Sequence, residues 1–371
     1  MLQPKWSVLT INPYVAGKRQ AEGFDNPAKL SANENPLGSS EEAQLAYLSA
    51  ARRLHLYPDP RASLLRGAVA EHFELEADRL IFGCGSDELF FLLSLAFLRP
   101  GENVVQPRYG FNSYRIAAAA CGAEVRYADE PEMKVDVDAV LRSIDEHTRI
   151  VFVANPGNPT GTWIGGAEVR RLHAGLPEHT VLVLDSAYAE FATDPAYEDG
   201  LAIAREADNV LVTRTFSKLH GLAALRVGWG YGSPVIIGAM DRIRPPFNAS
   251  VPAQEAAIAA LADTGFQERS LALVETWRPW LAARLEDLGC TVFPSATNFV
   301  LARFPKAPGR TAAEAEAFLA GRGVIVRGLA NYGLDDCLRI TIGTPEQNEA
   351  VAAALQSFFA EVRSLAGAPA N

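Results

Sequence analysis

Polar residues follow four short apolar runs in this 371-residue sequence. In chain order these residues are Gly85, Ser86 and Asp87, then Asn158, then Asp185 and Tyr188, and finally Thr215, Ser217, Lys218 and Arg226. Ligands of open α/β sheets bind just beyond the carboxyl ends of the strands. We therefore expect these side chains to share one crevice, which would offer an amine, a carboxylate, a phenol, a guanidinium and several hydroxyls to a small molecule.

The combination of a lysine, an aspartate and a phosphate cradle matches the needs of pyridoxal phosphate. An aldehyde requires an amine to form a Schiff base, and Lys218 supplies one. The pyridine nitrogen must stay protonated if the ring is to accept electrons, and the carboxylate of Asp185 would hold that proton. Tyr188 and Asn158 could hydrogen-bond to the phenolic oxygen of the ring, and Tyr109 could stack on its face.

Phosphate binding requires hydrogen-bond donors and positive charge. Amide groups at the start of a helix after Gly85, the hydroxyls of Thr215 and Ser217, and the guanidinium of Arg226 would provide both. Each residue taken alone has a simpler explanation: Lys218 as a surface lysine, for example, or the Gly85 turn as an ordinary helix start. Their occurrence together at strand ends is what favours a cofactor site.

The elements that would position these residues alternate along the chain. Apolar runs predict strands at residues 80–82, 103–106, 150–154, 181–184, 210–213 and 227–230, and helical patterns lie at 86–98, 112–120, 166–174 and 201–207. Runs that are apolar at every position are typical of buried parallel strands. The sequence thus predicts an α/β fold: a large domain with a mainly parallel central sheet flanked by helices, and a smaller α+β domain at the C-terminus. We expect an N-terminal arm over residues 1–30, the large cofactor-binding domain over 31–245 and the small domain over 246–371.

The composition excludes several classes of partner. The chain has 34 Lys and Arg against 44 Asp and Glu, a formal net charge of −10, and this opposes nucleic-acid binding. The four cysteines form no Cys-x-x-Cys pair, so no metal site is expected. The most apolar run, residues 89–98, is half the length of a membrane span, and the N-terminus lacks the apolar core of a signal peptide. We therefore expect a cytoplasmic protein with no membrane partner.

Longer motifs run in order along most of the chain. They are SANENPLG (31–38), YPDP (57–60), GCGSDE (83–88), NPGNPTG (155–161), DSAYAEF (185–191), TFSKLHGLAALRVGW (215–229), RPPFN (244–248) and LRITIGT (338–344). Over about residues 10–360 the chain resembles the fold-type I pyridoxal-phosphate aminotransferases, and within them the histidinol-phosphate aminotransferase family. One position departs from the family pattern, because Ser186 stands where an acidic residue usually follows the aspartate. We expect its side chain to point away from the cofactor ring.

The resemblance implies a role for each matching residue. Lys218 would form the Schiff base and carry the proton between the substrate Cα and the cofactor. Asp185, Tyr188, Asn158 and Tyr109 would surround the ring. The phosphate would be held by Gly85, Ser86, Asp87, Thr215, Ser217 and Arg226, and by Tyr57 of the partner subunit in a homodimer.

Substrate binding is implied for a further set of residues. Arg339 would bind the α-carboxylate of an amino acid or the phosphate ester of histidinol phosphate. Arg327 and Tyr14 would assist, or would serve only packing and surface pairing. The implied reaction is a ping-pong amino transfer from L-histidinol phosphate to 2-oxoglutarate, giving imidazole acetol phosphate and L-glutamate.

Three other functions are alternatives for a chain with these motifs. An aromatic amino acid aminotransferase uses the same scaffold, and the pocket walls would decide between the two. A threonine-phosphate decarboxylase shares the YPDP and NPTG features and differs in which Cα bond stands perpendicular to the ring. A regulator that senses the cofactor would need a DNA-binding domain, for which the 30-residue arm is too short.

Overall fold

A computed structural model describes residues 2–13 and 20–366. Its α-helices are α1 (Trp6–Leu9), α2 (Glu41–Ala50), α3 (Ser63–His72), α4 (Ser86–Phe97), α5 (Asn112–Cys121), α6 (Val137–Arg142), α7 (Gly166–Ala174), α8 (Leu201–Glu206), α9 (Pro234–Ile243), α10 (Val251–Ala262), α11 (Thr264–Asp287), α12 (Ala312–Ala320) and α13 (Pro345–Ala366). Its strands are β1 (Ala28–Lys29), β2 (Leu80–Gly83), β3 (Asn103–Pro107), β4 (Glu124–Ala128), β5 (Thr148–Ala154), β6 (Val181–Asp185), β7 (Val210–Thr215), β8 (Gly228–Gly232), β9 (Thr291–Phe293), β10 (Phe299–Arg303), β11 (Val324–Ile325), β12 (Arg327–Leu329) and β13 (Leu334–Thr341).

Seven strands form the central sheet, in the order β2-β8-β7-β6-β5-β3-β4. Strand β8 is antiparallel to both of its neighbours, and the other pairings are parallel. The apolar pattern of β5 explains why this sheet lies between two layers of helices. Ile150 and Phe152 pack in the core with residues of α4, α5 and α9, whereas Val151 and Val153 pack in the core on the opposite face. Both faces are therefore buried, as expected for a parallel sheet.

A second sheet forms the smaller part of the fold. Its order is β12-β13-β10-β9, every pairing is antiparallel, and α11, α12 and α13 contact it or each other around a separate core. Strand β1 joins this part through parallel pairing of Ala28 and Lys29 with β11. The predicted fold class, a mainly parallel sheet with helices on both sides plus a smaller α+β unit, is confirmed.

Two local features differ from the sequence patterns. Strand β4 was not predicted, because it is an edge strand whose residues are mostly half-exposed and therefore lack a continuous apolar run. The sequence is helical in pattern from 253 to 288, but the structure has two helices there, because Asp263 ends α10 and caps α11 by accepting a hydrogen bond from the Phe266 amide.

The position of α10 bears on the domain boundary. This helix packs on α2 and α3, and its Ala253, Ala257 and Leu261 belong to the core beneath the large sheet. The division after residue 245 stays a prediction. Within the described residues, no helix has both the length and the apolar character needed to cross a membrane.

Candidate active site

A cavity of about 340 Å³ lies at the carboxyl ends of β5, β6 and β7. Nine of the residues predicted from the sequence line it: Ser86, Asp87, Asn158, Asp185, Tyr188, Thr215, Lys218, Arg327 and Arg339. They come from the large sheet, from the start of α4 and from strands of the smaller sheet. The cavity therefore lies between the two parts of the fold.

The amine of Lys218 lies close to the backbone of the segment before α2. Its Nζ donates to the carbonyl oxygens of Asn33 and Ala32, at 3.3 and 3.4 Å. Removal from bulk water and, to a smaller extent, the positive charge of Arg339 together lower the pKa of Lys218 to about 8. A substantial fraction of this amine is thus unprotonated near pH 8, as a nucleophile requires.

The carboxylate of Asp185 is buried and fixed from two sides. The Tyr114 hydroxyl donates to Oδ2 at 2.5 Å, and the Thr213 hydroxyl donates to Oδ1 at 3.2 Å. Burial raises the pKa of Asp185 to about 6, while the hydrogen bond from Tyr114 acts in the opposite direction. A buried carboxylate of this kind calls for a cationic partner in the cavity, and the protonated nitrogen of a pyridine ring fits that need.

The start of α4 forms a cradle suited to a phosphate. Gly85 precedes the helix with a φ of 76°, and no side chain among the described residues caps this end, so the first-turn amides of α4 remain available as donors. The positive φ favours glycine at position 85, and a Cβ there would meet the guanidinium of Arg226 and displace it.

Arg226 also connects the remaining members of the cradle. It donates to Asp87 at 3.2 Å and to the Ser217 hydroxyl at 3.3 Å, and the Thr215 hydroxyl lies 2.9 Å from that of Ser217. Gly85, Ser217 and Arg226 are therefore in contact with the cavity-lining residues, although they do not line the cavity themselves. Helix amides, hydroxyls and a guanidinium form a donor set that fits the phosphate of pyridoxal phosphate.

Two hydrogen-bonded pairs shape the opposite side of the cavity. The Asn33 side chain donates to the Tyr188 hydroxyl at 2.8 Å, and burial raises the pKa of Tyr188 to about 12. Arg339 donates through Nη1 to the side-chain oxygen of Asn158 and through Nη2 to the carbonyl of Ser31 at 2.9 Å. Arg339 is thus held in place before any substrate arrives, which favours recognition of an anion.

Two further predicted residues, Tyr109 and Tyr57, do not line this cavity. Tyr109 lines a neighbouring cavity of about 360 Å³. Phe111, two residues further along the chain, lines the active-site cavity instead. Tyr57 is 82% exposed and stacks on Phe247 with ring centroids 4.7 Å apart, outside the cavity of its own chain. Tyr14 lies outside the described residues.

The hydroxyl of Ser186 donates to the carbonyl of Asp199 at 2.9 Å, and Ser186 does not line the cavity. The departure from the family pattern therefore faces away from the predicted ring position.

Sequence reasoning did not assign roles to Asn33, Tyr114 and Thr213, which contact predicted site residues. Asn33 lies in the SANENPLG motif, which was a usable signal for it. Tyr114 lies within α5, and its apolar surroundings resemble those of an ordinary core residue: it stacks on Phe152 with centroids 4.6 Å apart. No local pattern distinguishes it from other buried aromatic residues.

Comparison with known proteins agrees with this site. Residues 25–355 match the family aminotransferase class I and II. The chain is 60% identical to histidinol-phosphate aminotransferase 1 of Caulobacter vibrioides (96% of this chain, 99% of the relative) and 50% identical to histidinol-phosphate aminotransferase of Maricaulis maris (96% and 99%). The crystal structure of histidinol-phosphate aminotransferase from Sinorhizobium meliloti in complex with pyridoxal-5'-phosphate is similar, with a TM-score of 0.89, 29% identity and coverage of 98% of this chain and 99% of that one. These similarities confirm the resemblance found in the motifs, and the chain belongs to the class I and II aminotransferases, within the histidinol-phosphate aminotransferase family.

Proposed function

We propose that this protein transfers the amino group of L-histidinol phosphate to 2-oxoglutarate, with pyridoxal phosphate as cofactor. The observation that carries this proposal is one cavity that contains Lys218, the buried Asp185 and two arginines, Arg327 and Arg339. The names of the relatives and the match to the aminotransferase family support the same reaction. The products would be imidazole acetol phosphate and L-glutamate, in a step of histidine biosynthesis.

The cofactor, when bound, supplies an aldehyde that condenses with primary amines and a ring that accepts the electron pair released at the substrate Cα. The amine of Lys218 would be the protein group that condenses with the aldehyde. With the substrate amine bound there instead, Nζ would move a proton from the substrate Cα to the cofactor. The lowered pKa of Lys218 suits both tasks, because the amine can lose and regain a proton near neutral pH.

The remaining residues would hold and orient the reactants. Asp185, kept in place by Tyr114, would keep the ring nitrogen protonated. The Tyr188 hydroxyl and the side-chain amide of Asn158 would contact the phenolic oxygen. The amides of α4 and the side chains of Thr215, Ser217 and Arg226 would bind the cofactor phosphate. Tyr109 as a stacking residue stays a prediction.

Substrate anions would bind the guanidinium of Arg339, with Arg327 on the same cavity wall. The planar guanidinium can form two parallel hydrogen bonds, and such pairing suits both a carboxylate and a phosphate. Because Arg339 would bind both the phosphate of histidinol phosphate and the α-carboxylate of glutamate or 2-oxoglutarate, the two halves of the ping-pong cycle can share one site. A contribution of Tyr14 stays a prediction.

The aromatic aminotransferase and the threonine-phosphate decarboxylase are less supported alternatives. A half-reaction experiment separates them: the loaded enzyme is mixed with histidinol phosphate, phenylalanine or histidine while the absorbance of the cofactor is followed, and with threonine phosphate while CO₂ release is followed. We expect histidinol phosphate to convert the cofactor fastest. Conversion by phenylalanine alone would assign the protein to the aromatic enzymes, and release of CO₂ from threonine phosphate would assign it to the decarboxylases.

We also propose that the protein acts as a homodimer. A single stretch of chain from α2 to α3 carries large apolar side chains that are exposed in one protomer: Leu45, Leu48, Leu54, Leu56, Tyr57 and Leu64. An exposed apolar surface of this kind typically marks a protein interface. Burial of this 45–64 surface in a dimer would allow Tyr57 to reach the partner's cofactor phosphate.

Sedimentation of a charged variant tests the dimer. Leu64→Glu should shift the protein towards monomer and lower its activity, whereas Val235→Glu, at another exposed apolar position, on α9, should do neither. Leu64→Glu protein that sediments and turns over like the parent chain would contradict the proposed interface. The cytoplasmic location stays a prediction.

A further inference from the structure

Lys29 and Glu34 form an ion pair at the rim of the active-site cavity. Nζ of Lys29 lies 2.7 Å from Oε1 of Glu34, and the two side chains are 30% and 43% exposed. Both residues line the same cavity as Lys218 and Arg339. The roles derived above for the site use neither of them.

The segment between the two residues is fixed against the reacting groups. The Ser31 carbonyl accepts from Arg339, and the carbonyls of Ala32 and Asn33 accept from Lys218. Asn33 has a φ of 55°, a left-handed turn that brings Glu34 back beside Lys29. The pair thus occupies a defined position next to both the substrate-binding arginine and the nucleophilic amine.

Strand pairing fixes the other end of the same segment. Lys29 in β1 is paired with Ile325 in β11, two residues before Arg327. The ammonium of Lys29 is therefore a further cation on the side of the cavity that carries the arginines. Its carboxylate partner, Glu34, can hold it in place when no ligand is bound.

The proposed reaction makes two different demands on this side of the cavity. Histidinol phosphate has an imidazole as its second recognition group, after the phosphate, and this ring offers an N–H donor. Glutamate and 2-oxoglutarate have a second carboxylate instead, which requires a cation or N–H donors. A single fixed charge would favour one substrate and repel the other.

We propose that the Lys29–Glu34 pair opens to serve both substrates: Lys29 binds the second carboxylate of glutamate or 2-oxoglutarate, and Glu34 accepts a hydrogen bond from the imidazole N–H of histidinol phosphate. This inference rests on the proposed function. A half-exposed ion pair contributes little to stability, so that either partner can turn towards a ligand while the other is solvated by water. The pair therefore determines specificity and takes no part in the bond-breaking steps.

The first experiment compares donors in single half-reactions of the loaded enzyme. Lys29→Met should lower kcat/KM for glutamate by about tenfold to a hundredfold, the range expected for loss of a hydrogen bond to a charged group. Alanine, which has no second carboxylate, should be unaffected by the substitution. Lys306→Met is the matched control, because Lys306 is an exposed lysine in the loop after β10, is paired with Asp336 and does not line the cavity, and its substitution should change the rate with neither donor.

Glu34→Gln should change kcat/KM for histidinol phosphate and kcat/KM for glutamate in opposite directions. Loss of the charged acceptor should lower kcat/KM for histidinol phosphate by about fivefold to tenfold. Release of Lys29 from its partner should raise kcat/KM for glutamate. The charge of Glu34 also raises the pKa of Lys218, but a change in that pKa affects both donors alike, so the ratio of the two rates is the informative quantity.

Binding measured without turnover provides a second readout. Glutarate, a dicarboxylate with no amine, should bind the apoprotein more weakly after Lys29→Met, whereas butyrate binding should be unchanged. Equal effects of Lys29→Met on glutamate and alanine, or no effect on either, would overturn the inference. The proposed function itself fails if the unmodified enzyme reacts with glutamate but not with histidinol phosphate. The inference about the ion pair fails separately, if the enzyme reacts with both donors and the substitutions leave the ratio of the two kcat/KM values unchanged.

Discussion

The hydroxyl of Tyr114, on α5, donates a 2.5 Å hydrogen bond to the carboxylate of Asp185, at the end of β6. Tyr114 is wholly buried, and Asp185 is only 6% exposed. Burial raises the pKa of Asp185, and the hydrogen bond opposes that rise. Tyr114, which does not line the cavity, thus helps to keep Asp185 negatively charged, as the cofactor ring would require.

Tyr114→Phe should weaken cofactor binding without removing it. Loss of a hydrogen bond to a charged group corresponds to about 1.5–3 kcal/mol, or roughly tenfold to a hundredfold in the dissociation constant of pyridoxal phosphate. Absorbance titration of the apoprotein measures this change. Tyr231→Phe is the matched control, because Tyr231 is also buried and donates to a carboxylate, that of Glu76, away from the cavity. Equal losses of affinity in both variants would contradict a specific role for Tyr114.

Asp185→Asn should stabilise the apoprotein at neutral pH while it abolishes efficient turnover. The folded-state pKa of Asp185 is about 6, above its ordinary value of 3.8. Between these values the folded protein holds a proton that the unfolded chain has released, so the stability of the parent apoprotein falls as the pH rises through this window. The asparagine variant avoids this loss, which amounts to at most about 3 kcal/mol.

Denaturant unfolding of the apoproteins near pH 4 and near pH 7 measures the difference. The stability gap between Asp185→Asn and the parent chain should widen with pH, whereas Asp287→Asn, at an exposed position, should follow the parent chain. A gap that stays constant would show that the carboxylate is not destabilised by burial. Added pyridoxal phosphate should stabilise the parent chain more than the asparagine variant.

Uptake of pyridoxal phosphate by the apoprotein should depend on the protonation of Lys218. Condensation requires the neutral amine, so the uptake rate should rise with pH around a midpoint near 8. Arg339→Gln removes a positive charge that lowers the pKa of Lys218, and its midpoint should lie higher. Arg303→Gln removes a charge paired with Asp336 and should leave the midpoint unchanged. Lys218→Ala should form no covalent adduct and catalyse neither half-reaction.

Hybrid dimers test whether Tyr57 acts across the subunit boundary. Tyr57→Ala should weaken phosphate binding, and Lys218→Ala should inactivate its own site. When the two variants are mixed and exchanged, one site of each hybrid would combine an intact Lys218 with Tyr57 of the partner subunit. Activity at limiting cofactor should then exceed that of either variant alone. Mixtures that stay at the sum of the two variants, despite proven exchange, would contradict a contribution from the partner.

The apolar runs of the sequence were sufficient to predict most strands of the large sheet and the edge of that sheet which carries the site. The runs at residues 150–154, 181–184 and 210–213 are apolar on both faces and therefore predicted buried strands, and parallel strands end at the same edge. Lys218 and Asn158 follow these strands within five residues and were therefore brought to the same edge. Local periodicity was sufficient here because each functional residue is adjacent to the element that positions it.

The tertiary structure decided which groups meet across that edge. Tyr114 and Asp185 are in contact although 71 positions separate them in the sequence, and Arg339 and Ser31 are in contact across a separation of 308 positions. Such contacts depend on how α5 packs on the sheet and how the smaller sheet meets the larger one, and no repeat or spacing in the sequence encodes that packing. The pKa values of Asp185 and Lys218 follow from the same packing, because burial and neighbouring charge set them. The residue types in the sequence were sufficient to predict the chemical groups of the site. The protonation states of Asp185 and Lys218 depend on how distant segments of the chain pack around them.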